Sequence, residues 1–136
     1  MDIRDYSPSP TARRFEAGTP PVPSIYAGIA GMDLMKEIGV AATEAHVRGL
    51  TTLLMEGVEE ELGGRVVTPR DPARRGPLVA IASTDDHALV DALGQEGVVT
   101  SCRDGNLRVS PHCYNTREDI EAVLAALGRH RHLLSR

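Results

Sequence analysis

The sequence predicts an α/β (α+β) domain, in which a small, mostly antiparallel four-stranded sheet is covered by helices and preceded by a long two-helix segment. Between residues 24 and 62, apolar residues recur every three or four positions, which is the period of an amphipathic helix. From residue 65 onward, short apolar runs bounded by Gly, Pro and Asp alternate with two helical patterns, giving the order β-β-α-β-β-α over 65–134. Helices on one face of a sheet bury both sets of apolar side chains.

Prolines divide the chain into an arm and one domain. Residues 1–23 hold five of the nine prolines, each of which removes an amide donor and keeps its predecessor out of helical geometry. The sequence therefore predicts an extended Pro-rich arm over 1–23 and a single small domain over 24–136.

Two helices open the predicted domain. The first covers 24–38, with Ser24 as its cap. Its apolar stripe consists of Ile25, Ile29, Met32 and Met35. Gly39 separates it from a second helix over 40–62, which Gly63-Gly64 ends in a left-handed cap.

Four short strands and two helices follow. The strands are "RVVTP", "PLVAIAS", "VVTSC" and "LRVSP", and the Asp-Gly of "RDGN" predicts that the last two pair as a hairpin. The helix "TDDHALVDALGQEG" has Ser83 or Thr84 as its cap, and the final helix "NTREDIEAVLAALGRHRHLL" has Asn115 or Thr116.

Composition excludes several classes of function. The 136 residues carry a net charge of −4 with interspersed signs, which argues against a nucleic-acid surface. No apolar run reaches the roughly 20 residues that span a membrane. Cys102 and Cys113 do not form a disulfide framework, which favours a cytoplasmic location. The histidines lack metal-ligand spacing, so no metal site is expected.

Arg108 lies inside the strand pattern "NLRVS", where it alternates with Leu107 and Val109. Pattern alone leaves two interpretations open. One face of the strand meets water and Arg108 is simply exposed, or the guanidinium binds an anionic ligand.

Several segments, in this order, resemble a known family: "RFEAGTPPVPSIYAGIAGMDLMKEIG", Arg75-Gly76, "GVVTSCRDGNLRVSPHCYNTREDI" and the terminal helix. They are similar to the carboxyl-terminal third of class V aminotransferases, fold-type-I enzymes that use pyridoxal 5′-phosphate (PLP) and have kynureninases and cysteine desulfurases among their relatives. The resemblance runs from about Arg13 onward and implies the small-domain fold of these enzymes.

The resemblance also implies site residues. Arg108 corresponds to the arginine that holds the substrate carboxylate, through the parallel hydrogen bonds that a guanidinium can donate. Arg103 resembles a second arginine of kynureninase-like relatives, although its turn position favours simple exposure. His112 either donates to a ligand near Arg108 or caps strand-end carbonyls. Thr19, with Gly18 beside it, corresponds to the threonine that reaches the cofactor phosphate of a neighbouring subunit.

The sequence departs from the family at the cofactor. The lysine that binds PLP covalently lies upstream of the "GTP" segment in the family, and the only lysine here is Lys36, inside the first predicted helix. This chain therefore supplies no catalytic residue and is not expected to hold PLP alone.

Two classes of function remain open. One is a split enzyme acting on an amino acid by transamination, elimination or carbon–sulfur or carbon–carbon cleavage, with a large-domain polypeptide supplying the PLP lysine; the Met1 start favours it. The other is a non-catalytic remnant, truncated domain or protein-interaction module. Either class of function predicts that the chain forms a heteromer or associates with itself through the first two helices, because their apolar stripe would otherwise be exposed to solvent.

Overall fold

The chain groups into two compact units in the computed structural model, which describes residues 7–136. One unit ends at Ile38 and the other spans Gly39–Arg136. The contacts thus group the first long helix with the arm, and the domain bounds 1–23 and 24–136 stay a prediction. The part of that arm before residue 7 lies outside the described residues.

The first unit consists of irregular chain, a short turn and one long helix. Thr11 caps a single 3₁₀ turn over Ala12–Phe15, and helix α1 spans Val22–Ile38. The helix begins before Ser24, so Ser24 is not its cap; Pro23 is tolerated because the first turn needs no amide donor. Within its own unit, no residue of α1 is buried.

A three-stranded antiparallel sheet, in the order β1-β3-β2, forms the centre of the second unit. Strand β1 is Val79–Ala82, β2 is Ser101–Arg103 and β3 is Asn106–Val109. The predicted α/β class and antiparallel pairing are confirmed, with three strands in place of four. The hairpin prediction also holds, because Asp104 and Gly105 connect β2 to β3 with φ angles of 53° and 75°, a geometry that Asp-Gly favours.

The fourth predicted strand, "RVVTP", reduces to an isolated bridge between Val66 and Ile81. The ladder stops because the hydroxyl oxygen of Thr68 accepts the Ala80 amide at 2.8 Å, where a strand would offer a carbonyl. Pro69 follows and has no amide to donate.

Three helices complete the second unit, namely α2 (Val40–Glu56), α3 (Asp86–Gln95) and α4 (Arg117–Arg129). Helix α2 passes into a π-helical turn over Gly57–Glu61, and Gly63 then takes φ +64°, as the predicted left-handed end requires.

The cap predicted for the third helix was wrong, whereas one of the two caps predicted for the fourth is confirmed. Asp85 caps α3, because the Ser83 hydroxyl donates instead to the Leu133 carbonyl at 2.7 Å. Thr116 caps α4 in a reciprocal capping box with Asp119.

The core lies between the sheet and these helices. Val79 and Ile81 of β1 and Leu107 of β3 are at most 1% exposed, because alternate residues of a strand point to one face. The helices pack the following buried side chains against them: Leu50, Leu54, Leu89, Leu93, Ile120 and Leu127. Residues 7–136 contain no helix with the length and apolar character needed to cross a membrane.

Candidate functional site

Arg108 lies at the centre of the sheet, on the face opposite the core. Its neighbours in β3, Leu107 and Val109, are buried, so the intervening side chain points the other way. In the register it sits between Ala80 of β1 and Ser101 of β2, which are both small.

Arg108 is half-buried as a residue, and within residues 7–136 its guanidinium makes no ion pair and no side-chain hydrogen bond. A cation held on a rigid strand without an acceptor can receive an anionic group. Its role with a substrate carboxylate stays a prediction.

Arg103 ends strand β2 beside the hairpin turn. Its side chain is 75% exposed, and its Nε lies 3.7 Å from Oδ2 of Asp104. Such an exposed pair contributes little to stability. These contacts agree with Arg103 being a solvent-exposed turn residue. A ligand role for Arg103 stays a prediction.

His112 lies in the loop after β3. Its backbone amide donates to Oδ1 of Asn115 at 2.9 Å, and its Nδ1 lies 3.1 Å from Sγ of Cys113. In the part of the chain described, no strand-end carbonyl accepts from its ring, so the capping interpretation finds no support there. The ring borders a cleft, and a ligand role stays a prediction.

That cleft has a volume of about 330 Å³ and is lined mainly by apolar groups of α2 and of the segment before β1. Its polar lining includes Thr43, Arg48 and Arg75. Oγ1 of Thr43 is buried and has no hydrogen-bond partner among the described residues. Arg75, of the Arg75-Gly76 pair noted in the sequence, donates to Oγ1 of Thr52 at 2.7 Å. Arg108 does not line this cleft.

Gly18 and Thr19 belong to the first unit, in irregular chain before α1. Both are exposed, and a Cβ added at Gly18 would meet no atom within 4 Å. The segment therefore forms no closed cradle within its own unit. Contact with a cofactor phosphate stays a prediction that needs a second surface.

The residues present do not fit a complete PLP site. The single lysine, Lys36, lies on α1 with its side chain 76% exposed, and its Nζ pairs with Oδ1 of Asp33 at 3.2 Å. This is a solvated surface pair of the kind common on helices. A covalent bond to PLP of the kind that the family forms would need a lysine other than Lys36.

The fold also brings together Asp86, His87 and Cys102, which sequence spacing could not reveal. The first two open α3 and the third lies in β2, and their ligand atoms all fall within 4.8 Å of one another. Partial burial raises the pKa of the Cys102 thiol, and the Asp86 carboxylate raises it further. Cys102 follows His87 by 15 positions, and no local motif connects the two segments, so the sequence carries no signal of this cluster.

Comparison with known proteins places the chain in a family. The family model described as aminotransferase class-V matches residues 1–123. A probable cysteine desulfurase 2 of Mycobacterium leprae is 32% identical over 151 aligned positions, covering 95% of this chain and 34% of that protein. A kynureninase of Pseudomonas fluorescens is 30% identical over 102 positions, covering 73% of this chain and 24% of that protein.

A solved structure shares the fold. The apo cysteine desulfurase of Thermococcus onnurineus NA1 superimposes with a TM-score of 0.82 at 22% identity, covering 96% of this chain and 36% of that one. The chain thus spans about a third or less of the length of the curated relatives described here. Motifs, fold and family match agree, and the chain belongs to the aminotransferase class-V family of fold-type-I, PLP-dependent enzymes.

Proposed function

We propose that this chain supplies the small domain of a PLP-dependent enzyme that acts on an amino acid, and that a companion polypeptide supplies the cofactor lysine. Arg108 is the observation that carries the proposal. It projects from the middle strand of a three-stranded sheet, on the face opposite the core, and makes no ion pair or side-chain hydrogen bond within residues 7–136.

Arg108 would bind the substrate carboxylate. Two parallel hydrogen bonds from a guanidinium fix the orientation of a carboxylate as well as its charge, which a lysine cannot do. The flanking Ala80 and Ser101 leave space for a ligand beside the guanidinium. Orientation of this kind lowers the entropic part of a reaction barrier.

The remaining residues have accessory roles in the proposal. Arg103 and His112 would also contact the substrate, and Gly18 with Thr19 would contact the cofactor phosphate of a neighbouring subunit. PLP, when bound, supplies the electron sink for the reaction. The relatives named as cysteine desulfurase and kynureninase suggest transamination, elimination or carbon–sulfur or carbon–carbon cleavage as the reaction class.

Cys102 has no nucleophilic role in this proposal. It lies within strand β2, where a regular ladder holds its backbone, and burial with Asp86 nearby keeps its thiol protonated at higher pH than usual, as its raised pKa indicates. A persulfide-forming cysteine needs the opposite shift.

The proposal is tested by expressing the chain alone and together with candidate large-domain polypeptides, with PLP in the buffer. The expected result is a yellow complex with activity on an amino acid only in the co-expressed sample. Arg108→Ala should then lower kcat/KM roughly 10- to 150-fold, because a hydrogen bond to a charged group contributes about 1.5–3 kcal/mol. Arg117→Ala is the matched control, since Arg117 pairs with Glu121 on the exposed face of α4.

The proposal fails if no partner yields a coloured complex, or if the Arg108 and Arg117 variants lose activity equally.

The second candidate is a non-catalytic interaction module, which the apolar side chains of α1 favour. Within its own unit this helix buries no residue, and Ile25, Tyr26, Ile29 and Met32 are exposed. Clustered apolar groups of this kind mark contact surfaces. Stable association with a protein that carries no PLP site, abolished by Ile29→Glu and not by Glu37→Gln, would favour this candidate over the enzyme.

A further inference from the structure

Three side chains of the metal-ligating type converge at the junction of α3 and the β2–β3 hairpin. Asp86 and His87 form the first turn of α3, and Cys102 is the central residue of β2. The ligand atoms of all three lie within 4.8 Å of one another. Two packed elements therefore contribute to one cluster, which neither could form alone.

The spacing of the two softer ligands fits a tetrahedral metal. Nδ1 of His87 lies 3.6 Å from Sγ of Cys102. A tetrahedral zinc with sulfur at about 2.3 Å and nitrogen at about 2.1 Å separates those two atoms by about 3.6 Å. Without a metal, the same distance allows a hydrogen bond between the thiol and the imidazole.

The carboxylate of Asp86 is already oriented by the fold. Its Oδ2 accepts the Gly105 amide of the hairpin turn at 3.1 Å, which fixes the carboxylate beside Cys102. A hydrogen bond of this kind holds a metal ligand in its orientation and strengthens metal binding.

We propose that Asp86, His87 and Cys102 bind a zinc ion, with water as the fourth ligand. A set of one thiolate, one imidazole and one carboxylate matches the ligand preference of zinc better than that of magnesium or calcium, which take oxygen ligands. Asp86 and Cys102 are half-buried and His87 is exposed, so the open position faces solvent. As the sulfur–zinc bond forms, the thiol releases its proton to solvent.

The bound ion would link the start of α3 to the hairpin that carries Arg103 and leads into the Arg108 strand. A zinc ion here would contradict the expectation of no metal site, because that expectation rests on local histidine spacing alone. The zinc site does not depend on the proposed enzymatic function.

The test uses the full chain, first stripped with a chelator, and Co²⁺ as a spectroscopic substitute for zinc. We expect one equivalent per chain, with thiolate-to-cobalt charge transfer and the intense visible bands of tetrahedral cobalt, and displacement by zinc. Cys102→Ser and His87→Gln should each weaken zinc affinity strongly. Losing a residue that only hydrogen-bonds to a metal ligand lowers affinity roughly 10–100-fold, and loss of a ligand itself should exceed that.

Cys113→Ser and His112→Gln are the matched controls, because these residues form the other close cysteine–histidine pair. They should leave stoichiometry and affinity unchanged. Binding that is lost in these controls and kept in the Cys102 variant would overturn the proposal, as would a wild-type chain that binds no cobalt or zinc.

A second measurement needs no variant and so does not depend on how the variants fold. Alkylation of the wild-type chain, followed by peptide mass mapping, compares the two cysteines with and without zinc. Zinc should slow modification of Cys102 at least tenfold and leave Cys113 unaffected. Equal protection of both thiols, or of neither, would contradict the site.

Discussion

Cys102 carries a thiol whose pKa is raised by partial burial first and by the Asp86 carboxylate second. A raised pKa lowers the thiolate fraction at neutral pH, and only the thiolate reacts with alkylating reagents. Asp86→Asn removes the negative charge and keeps an oxygen that can accept the Gly105 amide. We therefore expect faster modification of Cys102 by iodoacetamide in this variant, measured near pH 8 in a chelator by peptide mass mapping.

The control for this prediction is Asp104→Asn, which removes a neighbouring exposed carboxylate that has no part in the Cys102 shift. Its Cys102 should react at the wild-type rate. An unchanged rate in Asp86→Asn would show that the carboxylate does not hold the proton on the thiol.

Local pattern could identify some of these residues and not others. The alternation of Leu107, Arg108 and Val109 predicts that the arginine faces away from the core, and the burial of its two neighbours agrees. By contrast, Asp86 and His87 meet Cys102 only because α3 packs on β2. That contact depends on tertiary structure, so no spacing rule reaches it.

The β2–β3 hairpin depends on its two turn residues. Gly105 has φ +75°, a region that a side chain makes costly. Gly105→Ala should destabilise the fold by about 1 kcal/mol, measured by urea denaturation. Its amide also donates to Asp86, so strain at this turn should additionally disturb the start of α3.

Gly49→Ala is the matched control for the hairpin. Gly49 lies in the interior of α2, and a Cβ there would meet no atom within 4 Å. The same substitution should stabilise the protein by roughly 0.5–1 kcal/mol, because alanine restricts the unfolded chain. Equal effects at the two positions would contradict the left-handed turn.

At the level of elements, the sequence predicted the helices and the hairpin well because their signals are local: apolar period, Asp-Gly and the Thr116 capping box. It overestimated the sheet by one strand. Nothing in "RVVTP" indicates that the Thr68 hydroxyl will take the place of a backbone carbonyl. Likewise, Asp85 caps α3 in place of Ser83, because the Ser83 hydroxyl donates to the carbonyl of Leu133, 50 positions away in the sequence.

Across the second unit, Glu96 joins the ends of two helices. It follows α3, and its Oε2 accepts Nε of Arg129 at 2.8 Å while its Oε1 lies 2.7 Å from Nε2 of His130. The Arg129 hydrogen bond, and then that of His130, lower the pKa of Glu96 from 4.5 to about 2.

This shift predicts the direction of an acid effect. Since the pKa is lower in the folded state, the stabilisation is complete above the unfolded value of 4.5 and is lost as pH falls toward 2. Urea denaturation from pH 7 to pH 2 should show wild type more stable than Glu96→Gln at neutral pH, with the difference shrinking through that window. A difference that is constant with pH would contradict the role of this carboxylate.

The chain as a whole carries one lysine, on an exposed part of α1 beside Asp33. A reagent that acylates amines therefore has one side-chain target on this polypeptide. In a mixed assembly, every further acylated lysine would belong to another subunit. The number of acylated lysines per complex would therefore indicate which subunits it contains.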